Sequence, residues 1–156
     1  MRAIVRNTAR GAALVCIAAV FAAADAHDDV MDLLASAAGA LSEIREGVAS
    51  RSVNVSRFMS AFSKDMPGRD TLETNVTALA NSADLSSSIT PLTEDGDEQA
   101  RKIDLDWLLE IRSLEQDGPL VRRREVVHCE LRKEKKHWKI IALKPLDFFA
   151  PANSGK

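Results

Sequence analysis

Between Ile103 and Ile111 the chain alternates. Ile103, Leu105, Trp107, Leu109 and Ile111 fall on one side of an extended segment, and Asp104, Asp106 and Glu110 fall on the other, with Leu108 the single exception. Successive side chains of a strand point to opposite faces, so this pattern specifies a half-buried β-strand with an apolar inner face and an acidic outer face. A fold that accommodates it must supply an apolar layer on one side only.

The neighbouring segments supply partners for that strand. Leu85 to Thr93 reads as a first strand, in which Pro91 cannot donate to a ladder and so marks an edge or a bulge. Glu94-Asp-Gly-Asp-Glu is an acidic turn into a long strand from Ala100 to Leu114, and Glu115-Gln-Asp-Gly-Pro is a glycine-containing return. Leu120 to Arg132 and His137 to Leu143 complete an antiparallel meander, the last strand ending before Pro145. The doublets Leu108-Leu109, Val126-Val127 and Ile140-Ile141 break strict alternation, and each is a candidate bulge or a strand covered on both faces.

Upstream, the apolar period is three to four. Val30, Leu33, Leu34, Ala37, Leu41, Ile44 and Val48 define an amphipathic helix from Asp28 to about Val48, with Gly47 as its end. After a polar break at Arg51-Ser-Val-Asn, Asn54 is placed to cap a short second helix through Phe58, Met59 and Phe62. A third helix is expected from Asp70 or Thr71 to Asn81, with Asp70 and Glu73 in capping-box spacing. Phe148-Phe149-Ala-Pro forms an aromatic clasp that packs back onto a helix, and residues 152–156 form a frayed tail.

The first 26 residues read as a secretory signal: Arg2, Arg6 and Arg10, then an apolar run from Gly11 to Ala24, then Ala24-Asp25-Ala26 as a cleavage site. That run is shorter than the roughly 20 apolar residues needed to cross a bilayer, so no stable membrane anchor is expected after cleavage. Cys16 lies inside the apolar run, which argues against lipidation. The expected location is periplasmic or extracellular.

Removing 26 of 156 residues leaves 130, enough for a single domain over residues 27–151 with one core. The full chain carries a net charge of −2, and loss of three arginines and Asp25 takes it to −4, which gives no global attraction to nucleic acid. Cys129 is then the lone cysteine, so no internal disulfide can form, and its position in a strand points to a small buried hydrophobe.

Three helices followed by a meander of long strands resemble the nuclear transport factor 2-like (NTF2-like) superfamily. The residues that carry the likeness are Phe58-Met-Ser-Ala-Phe, Met66-Pro-Gly, the Ile103 to Ile111 strand, Arg122-Arg-Arg, His137-Trp-Lys-Ile and the close from Pro145 to Pro151. The resemblance implies an α+β fold: three N-terminal helices packed in the concave face of a curved four-stranded antiparallel sheet, the cystatin-like cone. It looks like an exported bacterial group of that superfamily, one without an assigned activity. The superfamily includes ketosteroid-isomerase-like and epoxide-hydrolase-like enzymes, polyketide cyclases and non-catalytic binding domains, so fold alone does not select a function. Pairing of two copies through the sheet is common in it, and the resemblance implies a homodimer here.

The residues themselves supply little chemistry. A ketosteroid-isomerase-like site needs a carboxylate base in an apolar pocket and an oxyanion donor, and the chain contains no tyrosine. Alternation sends Asp104 and Asp106 to the face opposite Trp107, toward solvent or toward Arg122 and Arg124 on the next strand. His128 and Cys129 are adjacent in a strand and point apart, which separates them as a catalytic couple. No histidine pair has metal-ligand spacing, and no glycine-rich phosphate loop is present, so neither metal nor cofactor is expected.

Two candidate surfaces follow. Phe58, Phe62, Leu105, Trp107, Leu109 and Trp138 line the space between sheet and helices, as the wall of a pocket for an apolar small molecule or as plain core. Asp104, Asp106, Leu108, Arg122 and Arg124 form an outer face suited to a protein partner or a second copy. The expected function is non-catalytic binding; the alternative is an isomerase or hydrolase with a buried carboxylate base.

Overall fold

The computed structural model describes residues 13–44, 48–115 and 117–151. Residues 1–12, which open the expected signal, Gly47, the expected end of the first helix, and residues 152–156, the expected tail, lie outside the described residues. Three helices, α1 (Ala13–Ser42), α2 (Val48–Ser60) and α3 (Arg69–Ser82), precede four strands, β1 (Ala83–Gly96), β2 (Ala100–Ser113), β3 (Leu120–Glu134) and β4 (His137–Lys144). A short 3-10 turn, Leu146–Phe149, closes the chain. The strands are hydrogen-bonded in the order β1-β2-β3-β4, every pair antiparallel. This is the expected three-helix, four-strand arrangement.

The strand at the centre of the sequence argument is the centre of the sheet. From Arg101 to Ile111 every odd-numbered residue of β2 is buried, while Asp104, Asp106, Leu108 and Glu110 are part-exposed on the reverse side. Leu108 thus faces outward with the acids, and β2 runs through Leu108-Leu109 without a register shift. Val126-Val127 is likewise in register. The sheet breaks register at two other places, between Pro91 and Thr93 in β1 and opposite Glu130 and Leu131, where Ile141 is the extra residue of β4. The bulges at Pro91 and Ile140-Ile141 were expected; the one-residue insertion bends a strand and increases its twist, which curves the sheet around the helices. Phe62 adds an isolated parallel bridge to Ile140, tying the end of α2 to the last strand.

The helix boundaries differ from expectation. α1 ends at Ser42, and Val48 opens α2 instead of closing α1. Arg51-Ser-Val-Asn is helical, not a break, because its polar groups find partners inside the fold. The Arg51 guanidinium donates to the carbonyls of Ala80 and Ala83, each at 2.7 Å, and pairs with Asp84 at 2.6 Å. Asn54 lies within α2 and donates to the Glu43 carbonyl at 2.9 Å, so its amide serves the chain leaving α1 and does not cap α2. At α3 the capping position is Gly68, in the left-handed region at φ 77°, without a side-chain cap. Asp70 therefore sits inside the first turn, where the helix dipole favours it, and Glu73 pairs with Arg69 at 3.0 Å instead of completing a capping box.

Candidate functional site

The inner face of the sheet and the helices enclose one continuous apolar cluster that includes Leu34, Leu41, Ile44, Leu72, Val76 and Leu79 from the helical side. Trp107 is fully buried in it. Phe149 meets the Trp107 ring edge-on at 5.2 Å between centroids, and Phe148 lies 6.3 Å away. Phe58 packs against Phe62 at 5.0 Å and against Phe149 at 5.7 Å. Edge-to-face contacts of this kind let the ring edges meet the electron-rich faces. The clasp therefore reaches a helix, through Phe58 of α2, and it also seats on Trp107.

Two polar groups that reach this interior, the Trp107 indole and the Arg123 guanidinium, are satisfied within the fold. The Trp107 indole donates to Ser87 Oγ at 2.8 Å. Arg123 of β3 points the opposite way from Arg122 and Arg124, and its guanidinium donates to the carbonyl of Phe148 at 2.8 Å and to that of Ala150, which pins the aromatic turn in place. Partial burial lowers the Arg123 pKa, and the charge of Asp147 opposes that shift. Burial pushes the Cys129 thiol up to about 12, which makes it an inert core residue and not a nucleophile. Among the described residues, the buried polar or charged side chains are Arg51, Asn54, Ser63 and Arg101. None of these is a carboxylate or an imidazole.

All six residues expected to line an inner pocket, Phe58, Phe62, Leu105, Trp107, Leu109 and Trp138, are buried and belong to this one cluster. Trp138 also lines an open groove of about 420 Å³ between α1 and the β3-β4 hairpin.

The outer face is organised by ion pairs between neighbouring strands. Arg124 grips Asp106 with two nitrogens, at 2.6 and 3.0 Å, and Arg122 Nε reaches Glu110 at 2.5 Å. Asp104 pairs with His128 at 2.6 Å and with Thr93 at 2.9 Å, not with an arginine, because the register sets His128 directly opposite it. Hydrogen bonds from His128 and Thr93 hold the Asp104 carboxyl below the usual carboxylate range, and the Arg124 hydrogen bond does the same for Asp106. Leu108 and Val126 lie among these charges, Val126 at 41% exposure. The outer-face residues expected from alternation are thus brought together on one surface.

Sequence reasoning missed the inward arginines. Alternation alone places Arg123 on the inner face, between two outward neighbours, but its acceptors are backbone carbonyls that leave no trace in composition. Arg51 is the same case, since its partners lie about thirty positions away.

The fold is that of the NTF2-like superfamily, the cystatin-like cone. Among solved structures, the chain is similar to a protein of Novosphingobium aromaticivorans named provisionally as a scytalone dehydratase, with TM-score 0.67 and 11% identity over 80% of this chain and 85% of that one. It is also similar to an NTF2-like protein with a cystatin-like fold from the same organism, with TM-score 0.63 and 11% identity over 85% and 88% of the two chains. A type 2 hexachlorocyclohexane dehydrochlorinase, LinA, aligns with TM-score 0.60 and 14% identity over 80% and 86%. At these identities the likeness establishes the fold alone. No protein-family model matches the sequence, and no curated protein matches it.

Proposed function

We propose that the chain is an exported, non-catalytic binding domain whose working surface is the outer face of the sheet, where a second copy of the chain docks. The observation that carries this reading is the interior, occupied by Trp107, Phe58, Phe148 and Phe149 and holding no buried Asp, Glu or His among the described residues. A general acid or base must lie within hydrogen-bond reach of the atom it serves. Asp104 and Asp106, the most regularly spaced acids, stand on the far side of the sheet from Trp107. An apolar ligand entering the cone would have to displace the Phe148-Phe149 turn.

The outer face suits a two-fold contact because it carries both signs in a defined order around the apolar Leu108 and Val126. A two-fold axis sets a patch against itself, so acids of β2 in one copy can meet arginines of β3 in the other. Export is supported by the start of the domain. Cleavage after Ala26 would make His27 the first residue, and its imidazole already contacts Glu94 at 2.5 Å, fastening the new terminus to β1. Asp28, Asp29 and Asp32 would then fall at the beginning of the shortened helix, where its dipole favours acidic side chains. Among the described residues no helix is long and apolar enough to cross a membrane.

Sedimentation equilibrium tests the association. The expected result is a dimer for the parent and a monomer of unchanged circular dichroism for Val126→Arg; a parent that stays monomeric overturns the proposal. The alternative, an isomerase or hydrolase using a carboxylate base, is tested by a panel of lactone, epoxide and enone substrates. Turnover that disappears in Asp106→Asn would establish it.

A further inference from the structure

The groove of about 420 Å³ between α1 and the β3-β4 hairpin has opposed walls of opposite charge. Asp29 and Asp32 stand on the α1 side, three positions apart and so on one helix face; Lys136 and His137 stand on the hairpin side. All four are exposed, and Asp29, Asp32 and Lys136 take part in no ion pair among the described residues. Elsewhere on this molecule facing charges are matched across adjacent strands, as Arg124 is with Asp106 and Arg122 with Glu110. Here the two signs face one another across open space.

One residue of the groove wall, Trp138, also carries a buried donor without an acceptor. The residue is 4% exposed, and its Nε1–H meets no hydrogen-bond partner among the described residues. An indole nitrogen only donates, and a buried donor left unpaired costs about 1–3 kcal/mol, so such a group calls for an explanation. The other indole of the chain, Trp107, is satisfied by Ser87. Between the charged walls, Leu33 supplies an apolar contact on the helix side. The hairpin side is held in position, since Lys139 donates to the Ser60 carbonyl at the end of α2.

We propose that this groove binds a small zwitterion, an amino acid or a short peptide, with its ammonium toward Asp29 and Asp32, its carboxylate toward Lys136 and His137, and an acceptor oxygen on Trp138 Nε1. The volume falls within the range of about 300–1,000 Å³ typical of small-molecule sites. A single-sign ligand satisfies one wall only, which is why the class is dipolar.

The two tryptophans make the test internal. In the ¹H–¹⁵N spectrum of the full chain the two indole N–H resonances are followed during addition of glycine, of triglycine, and of acetate and ethylammonium as single-charge controls. The expected result is a saturable shift of the Trp138 indole with glycine or triglycine and an unmoved Trp107 indole. The single-charge controls are expected to bind at least about tenfold more weakly, as is triglycine or glycine to Asp29→Asn/Asp32→Asn and to Lys136→Gln. Whichever of glycine and triglycine saturates at lower concentration identifies the free amino acid or the peptide as the source. A Trp138 resonance indifferent to both zwitterions overturns the proposal, and so does a shift that survives undiminished in the Asp29→Asn/Asp32→Asn variant. All three substituted side chains are exposed, so the variants keep the fold.

Discussion

The two faces of one sheet have been put to opposite uses. On the inner face, β2 contributes Ile103, Leu105, Trp107, Leu109 and Ile111, each buried in the one apolar cluster that also holds the helices' inner residues and Phe148 and Phe149. On the outer face the same strand contributes Asp104, Asp106 and Glu110, each engaged with a cationic or histidine partner one strand away. The inner contacts remove apolar surface from water and carry the stability of the fold. The outer pairs are solvent-exposed, contribute little to stability, and confer a charge pattern that another surface can recognise. A single period of two in the sequence thus separates what holds the domain together from what it presents.

That division is broken most severely from the inside. Trp107→Ala leaves a cavity among Phe58, Phe148 and Phe149 and forfeits the Ser87 hydrogen bond, and should cost about 3–5 kcal/mol in urea unfolding. A loss well below 1 kcal/mol would mean that the ring is not the centre of the core. On the other face, Val126→Arg should leave unfolding nearly unchanged and weaken self-association by about a hundredfold or more, since a two-fold axis brings the introduced charges near each other. Equal effects of the two substitutions on unfolding would erase the distinction between the faces.

A weaker effect appears with pH. The folded-state pKa values of Asp104 and Asp106 are lowered, so the unfolded chain takes up their protons first as pH falls. Their contribution is present at neutral pH and is lost as pH drops through the folded values. The variant Asp104→Asn/Asp106→Asn should therefore show a flatter acid limb of stability than the parent, measured as melting temperature against pH. The mirror case is Cys129, whose thiol is held protonated up to about 12. Its contribution is complete below the ordinary thiol pKa and is lost as pH rises from there through the folded value of about 12. At neutral pH it should resist a thiol reagent unless denaturant is added, and rapid labelling of the native chain would show that the core opens.

The alternation around Trp107 made the sheet legible, because a period of two leaves few other foldings for a run that long. The bulge near Pro91 was legible for a local reason, the missing N–H of proline. Helix ends were not. The polar run from Arg51 to Asn54 reads as a break, and Asn54 favours a cap, yet both residues lie inside α2, where carbonyls outside that helix accept their hydrogen bonds. The same holds for the Phe148-Phe149 turn. Its aromatics announce a contact, but the partner ring at Trp107 is chosen by the closing of the sheet, about forty residues away. The groove beside Trp138 was beyond sequence reading, since its two charged walls come from α1 and from the hairpin that ends the sheet.

The central claim is that the cone is filled by the chain's own side chains, and the indole N–H of Trp107 reports on it directly. Adding an apolar steroid such as progesterone to the ¹⁵N-labelled chain should leave the Trp107 resonance in place at saturating ligand, with its hydrogen bond to Ser87 intact. A saturable shift of that resonance, accompanied by movement of the Phe148 and Phe149 amides, would show that the interior is a ligand pocket with a displaceable cover.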